Sequence, residues 1–306
     1  MAELHNPGTC SGEVVAPLTV FTRDYVKNPY PQYQTPCAGN AARPPRIVEA
    51  IRNAALANNP ARHPLWRVAD RYHAVTHMPL GTERAMNEHR ARAINAICVC
   101  IADRVNIVEG KVYMTLEQIS DACGLTTECN GVKSFSRACR AINEHLEAIG
   151  AIHCERIWDE TTGAWIPNII WVTPLFFTLI GFEYGKFEAA QQQQLAWKNK
   201  QLLEAGEGAI TLTEARRRAR ERHIKTAFEI RARHRAYKAQ LKRARKLAAM
   251  EEQKARQKIQ GDLLKLYTRE ELAAMGHVEF ARQVNERYYA MRRLAASPPP
   301  APPDTE

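Results

Sequence analysis

Residues 112–172 constrain this chain more than any other stretch, because their apolar periodicity passes from helical to extended within one unit. From Val112 the expected order is short strand, helix, turn, helix, strand, turn, strand. Thr115 is placed to cap the first helix, in which Leu116, Ile119 and Cys123 recur at helical spacing, and Gly124 ends it. Thr126 to Gly131 read as a polar loop. A second helix of about four turns is expected from Ser134 to Ile149, with Gly150 at its C-cap. Two runs rich in Ile and Trp follow, joined by Asp159-Glu160-Thr161-Thr162-Gly163, a good hairpin loop.

A helix-turn-helix followed by a β-hairpin is a winged helix, and its second helix enters the major groove. At about 100° per residue, Phe135, Ala138, Cys139, Leu146 and Ile149 fall within roughly 60° of Ile142, and Lys133, Ser136, Arg137, Arg140, Glu144 and Glu147 fall opposite. Such helices touch bases mainly from their N-terminal half. Lys133, Ser136, Arg137 and Arg140 are therefore the expected base-reading residues. The competing reading is an ordinary amphipathic helix with a solvated charged face. The hairpin tip carries Asp159 and Glu160 where a phosphate-gripping wing carries Lys or Arg, so the wing is expected to be structural or to face a protein partner.

The flanking segments divide by composition. Residues 1–45 hold seven prolines and no periodicity, which predicts a disordered arm, and the tail 297–306 is expected to be disordered too. Residues 46–83 predict a short helix after Pro45 and another amphipathic piece in HPLWRVADRYHAVTH. A helix starting at Thr82 or Asn87 and running through Val108 presents Ile94, Ile97, Ile101, Val105 and Val108 as one stripe, which packs under the helix-turn-helix of a domain spanning 84–182. Phe176, Phe177 and Leu179 close that core from a helix followed by a loop, and 183–212 reads as a linker.

Net charge locates the next element. The chain carries +10, yet residues 211–248 alone hold fourteen Lys and Arg against three Glu, so the other 268 residues sum to −1. The cations are Arg216, Arg217, Arg218, Arg220, Arg222, Lys225, Arg231, Arg233, Arg235, Lys238, Lys242, Arg243, Arg245 and Lys246. With no Pro or Gly and many strong helix formers, 213–260 predicts one long exposed basic helix. Three acids cannot neutralise fourteen bases, so all fourteen are expected to contact DNA phosphate without reading sequence. Thr268-Arg269-Glu270-Glu271 is a capping box opening a C-terminal unit, 261–296, with a break at Met275-Gly276 and a second helix ending near Leu294. The two helices could form a second helix-turn-helix. The fold class is thus mainly α with a small β-hairpin: a winged helix-turn-helix domain, a long basic helix and C-terminal helices.

Several functions lack their residues. The eight cysteines form no C-x-x-C pair, and Cys123, Cys129 and His153 match no standard zinc spacing. His73 and His77 have no Glu between them. No metal, cofactor or catalytic residue is expected. No phosphate-binding G-x-x-x-x-G-K-[ST] occurs, and no H-x-H accompanies Tyr288-Tyr289 as a nicking site would require. No run of 18 apolar residues and no signal peptide is present, so a cytoplasmic protein is expected, without membrane contact.

SFSRACRAINEHLEAIGAI, the hairpin, TPLFF, the W-x-N-K-Q segment at Trp197 to Gln201 and the Arg-rich helix together resemble the RepA replication initiators of IncFII-type plasmids, including IncL/M- and IncI-like members, over about residues 84–296. The order of segments is more specific than any one of them. The resemblance implies a non-enzymatic protein that binds the double-stranded DNA of its plasmid's origin and starts theta-type replication with host helicase-loading and polymerase machinery. It also implies preferential action in cis and a part in copy-number control. The proline-rich arm has no counterpart in the resemblance. Rival readings are a winged-helix transcriptional regulator and an unspecific nucleoid or RNA binder relying on the basic helix.

Overall fold

A computed structural model describes residues 27–35, 44–81, 86–129, 131–160 and 163–297. The fold is mostly helical with small sheets. Its largest core is built around α3 (Glu88–Arg104), capped by Asn87, whose side chain accepts from the Arg90 amide. Ile94, Ile97 and Ile101 are fully buried on it. The expected extension to Val108 does not occur. The chain leaves the helix at Val105, which bridges to Val112 instead, so Val105 and Val108 are buried from outside α3.

After strand β3 (Lys111–Val112) comes α4 (Leu116–Ala122), opened by the expected cap: Thr115 and Gln118 form a reciprocal capping box. The segment expected as a loop is instead a hairpin of β4 (Thr127–Cys129) and β5 (Val132–Ser134). The second helix starts as α5 (Ser136–Arg140) and widens into a π turn over Ala141–Leu146. Its buried side is the expected one, with Ala138, Ile142, Leu146 and Ile149 in the core. Strand β6 (Ile152–Glu155) then runs to a tip hairpin, β7 (Trp158–Asp159) and β8 (Ala164–Trp165), and returns as β9 (Ile169–Val172). Strand β9 lies between β3 and β6, antiparallel to both.

Two segments expected to stand apart belong to this core. In the first, α1 (Arg46–Ala57) buries Val48, Ile51 and Ala55 against it. Beyond it lie a short helix, α2 (Leu65–Val68), and a hairpin, β1 (Arg71–Tyr72) with β2 (Pro79–Leu80). Arg71 donates to the Glu144 carbonyl and the Tyr72 amide to that of Ala148, which ties this hairpin to the second helix. The second segment lies in the arm expected to be disordered. Residues 27–35 are held: Tyr33 Oη donates to Asp103 Oδ2 at 2.7 Å, and Arg52 and Arg104 share that carboxylate. Aromatic rings and a buried carboxylate outweigh the local effect of the prolines. The rest of the arm, residues 1–26 and 36–43, and the tail beyond Ser297 lie outside the described residues.

Helix α6 (Pro174–Leu179) closes the core with Phe176 and Phe177. The expected linker is mostly helix: α7 (Tyr184–Glu204) packs Phe187 on Phe177 at 4.4 Å between ring centroids and buries Leu195. Gln191, also buried, donates to the carbonyls of Ile107 and Val108. The Gln, Ala, Lys, Glu and Leu residues of α7 all favour helix, and Phe187, Gln191 and Leu195, four residues apart, form the side that meets the core.

The basic helix α8 (Leu212–Ala248) is capped by Thr211 and ends twelve residues before the expected position 260. A turn at Ala249–Glu251 folds α9 (Glu252–Leu264) back. Packing forces the break: Ala255, Ile259 and Leu263 form their own stripe, which is buried only by meeting Leu247, Val284 and Tyr288 in a second small core. Helix α10 (Arg269–Ala296) has the predicted Thr268 capping box and is kinked at Gly276, whose φ of 69° favours glycine. Tyr288 is buried in this core with the guanidinium groups of Arg256 and Arg292 over its ring. Packing therefore accounts for half of the tyrosine pair.

Candidate nucleic-acid interface

The four expected base readers do not share one helix. Lys133 lies on β5 and pairs with Asp121 of α4 at 3.5 Å. The intervening hairpin moves it off the helical register assumed for it. Ser136 is exposed at the start of α5 beside Ser134. Arg140, one turn on, is exposed, and its side chain makes no hydrogen bond or ion pair among the described residues.

Arg137 is placed differently. One η-nitrogen donates to the Asn28 carbonyl at 2.6 Å and the other to the His89 carbonyl at 2.8 Å. Asn28 in turn donates from Nδ2 to the Gly124 carbonyl, and Lys27 from Nζ to that of Glu128. The φ of Gly124 is 64°, so the turn favours glycine there, and a Cβ would lie 2.8 Å from Asn28 Nδ2 and push that side chain aside. Arg137 therefore ties the arm to α5 and α3 in this structure. Arg137→Ala is expected to release residues 27–30, read as faster proteolysis on that side of Tyr33. An unchanged cleavage pattern would remove this role.

Helix α8 divides into two halves with different electrostatic fates. Its first half crosses the outer side of the three-stranded sheet. Arg216 Nε donates to the Glu109 carbonyl, Arg222 meets the Glu109 carboxylate at 2.5 Å, and Arg220 pairs with Glu155. His223 lies 2.8 Å from the Pro167 carbonyl. Glu109 is 2 % exposed and also accepts from Tyr113 Oη, and burial beside it raises the Tyr113 phenol above its ordinary pKa. Lys111 is buried between strand and helix, which lowers its pKa to about 8 despite Glu109. Arg217 and Arg218 pair with Glu214 on their own helix.

Further along, Arg231 reaches the hairpin tip, donating to Asp159 at 3.3 Å and to the Trp165 carbonyl. Asp159, expected at an exposed acidic tip, is buried by this pairing. Arg243 pairs with Asp262 of α9 at 2.5 Å.

The fourteen cations expected to contact phosphate are thus not alike, since several already pair with acids in this structure. Counting acids within the helix overlooked those supplied by the sheet, the tip and α9. Lys225, Arg233, Arg235, Lys238, Lys242, Arg245 and Lys246 are exposed and have no acidic partner among the described residues. Five of them share an edge. At about 100° per residue, Arg235, Lys238, Lys242, Arg245 and Lys246 all fall within roughly 60° of Arg231. The row extends about 22 Å beyond the tip contact, on the side away from the buried Ala244 and Leu247.

Among the described residues no group of three or more His, Cys, Asp or Glu is arranged to hold a metal ion, and no helix is long and apolar enough to cross a membrane. The thiols of Cys98, Cys100, Cys123 and Cys154 are free and buried. Burial raises the pKa of Cys98 and Cys154, which leaves both poorly reactive.

The sequence model of the IncFII RepA protein family matches residues 21–296. A probable replication-associated protein repA1 of Buchnera aphidicola subsp. Cinara cedri (strain Cc) is 36% identical over 277 residues, which cover 90% of this chain and 98% of that protein. Its namesake in Buchnera aphidicola subsp. Acyrthosiphon pisum (strain APS) is 34% identical over 279 residues, covering 91% and 98%. A probable replication-associated protein repA2 of the latter organism is 26% identical over 206 residues, covering 67% and 71%. No solved structure matches.

Proposed function

Because the chain belongs to the IncFII RepA protein family, we propose that it is a plasmid replication initiator that binds its origin as duplex DNA and starts theta-type replication with host helicase-loading proteins. Its abundance then contributes to copy-number control. The observation that carries the DNA-binding reading is the row of five cations on α8 without an acidic partner among the described residues, which forms one edge rather than a diffuse charge. A polyanion neutralises such a row, and counterion release drives the association.

Sequence reading falls to the domain that α8 crosses. The order is helix, strand, helix, hairpin, helix, strand, hairpin and strand, with the returning strand central in a three-stranded antiparallel sheet; apart from the β4–β5 hairpin between its two helices, it resembles the order of a winged helix. This supports α5 as the helix that enters the major groove. Arg140 and Ser136 face outward from it and are the proposed base contacts, with Lys133 approaching from β5. Arg137 acts by holding the arm against α5. No catalytic residue is needed for this role, and the protein acts without chemistry of its own.

Footprinting on the plasmid's own DNA tests this. A discrete protected site at the origin is expected. Arg140→Ala should cost about 1–3 kcal/mol at that site and relax selection at one base pair. Equal losses on random DNA would remove α5 as the reading element. Protection confined to the gene's promoter would favour a transcriptional regulator instead.

A further inference from the structure

The hairpin tip presents two tryptophans to solvent. Trp158 and Trp165 are cross-strand partners with ring centroids 5.1 Å apart at 69°, and they stay 47 % and 59 % exposed. Such a pair stabilises a short hairpin, but hairpin stability alone does not require two large rings held half in water. Arg231 fixes the tip to α8 through Asp159 and the Trp165 carbonyl. The same contact buries and neutralises Asp159, one of the two acids of the tip, and leaves Glu160 exposed beside it. From Arg231 the row Arg235, Lys238 and Lys242, without an acidic partner among the described residues, leads away along the same edge of the helix, and Phe228, one turn before Arg231, is 39 % exposed.

We propose that the tip tryptophans and the adjoining cation row of α8 form a binding site for single-stranded DNA, in which unpaired bases stack on Trp158 and Trp165 while Arg235, Lys238 and Lys242 track the phosphates. The chemistry matches the need: aromatic faces accept any base without regard to sequence, and a basic groove beside them supplies backbone affinity. Duplex DNA cannot use the rings, because its bases are already stacked. The site rests on the proposed DNA-binding role and deepens it, by giving the protein a hold on a strand once the duplex has opened.

The test measures fluorescence anisotropy of the full-length protein with a 20-nucleotide oligo(dT) and, at the same salt, with a random duplex of equal length. The Trp158→Ile, Trp165→Ile double variant keeps strand propensity and removes the rings. The Trp158→Phe, Trp165→Phe variant keeps smaller rings. The Ile variant should lose about tenfold in oligo(dT) affinity, the scale of one lost base stack, with duplex affinity changed less than twofold. The Phe variant should recover most of the loss. Unchanged oligo(dT) binding by the Ile variant, an equal loss on both probes, or no oligo(dT) binding by the parent would each overturn the site. A change in sedimentation with oligo(dT) binding intact would overturn it too, assigning the rings to a contact between copies. Failure of the origin footprint with oligo(dT) binding retained would reject the initiator reading and leave this site standing.

Discussion

Replacing Arg235, Lys238, Lys242, Arg245 and Lys246 together with Gln is expected to weaken binding to every DNA sequence and to leave the fold intact. Each phosphate contact contributes about −0.9 to the slope of log affinity against log salt, so losing five should make that slope shallower by about 4.5. None of the five pairs with an acid among the described residues, and all lie away from Ala244 and Leu247. Thermal midpoints should therefore stay close to the parent's. Arg216, Arg220 and Arg222 make the informative contrast. They read identically in the sequence but hold the sheet, and their replacement should lower stability first. If that set flattened the salt slope as much as the five do, the division of α8 into a docked and a free half would be wrong.

The second large effect is at Glu109. Glu109→Ala should destabilise the protein by about 3 kcal/mol, the lower end of the range for breaking a buried pair, because Arg222 can turn to water. The Arg222 side chain is 60% exposed while Glu109 is 2% exposed. The loss has more than one part. Tyr113 loses its acceptor, Lys198 loses a carboxylate 4.0 Å away, and buried Lys111 loses its nearby negative charge. Urea unfolding measures the cost, and cleavage around residues 205–210 reports whether α8 has lifted from the sheet. A stability change under about 0.5 kcal/mol, the scale of an ordinary surface substitution, would show that α8 is held by something else.

Where the signal is local, the sequence carries it. Thr115 and Thr268 cap their helices as their neighbours at N3 indicate, Gly124 and Gly150 end theirs in left-handed conformations, and Phe176 and Phe177 close the core. The failures are of another kind. Lys133 falls on β5 and not in a helical phase, and α7 occupies the segment that reads as a linker although its residues favour helix. Tyr33 shows the same limit in the arm, since its partner Asp103 is 70 residues away.

The sequence by itself determined the alternation of helices and strands, the faces they bury and the concentration of positive charge in residues 211–248, because propensity, capping and periodicity act within a few residues. It also carried the family, through the order of its segments. Only the tertiary structure decided which charges are available. Glu109, Glu155, Asp159 and Asp262 neutralise α8 from distant parts of the chain. An ion pair depends on distance in space, and spacing along the chain does not record it.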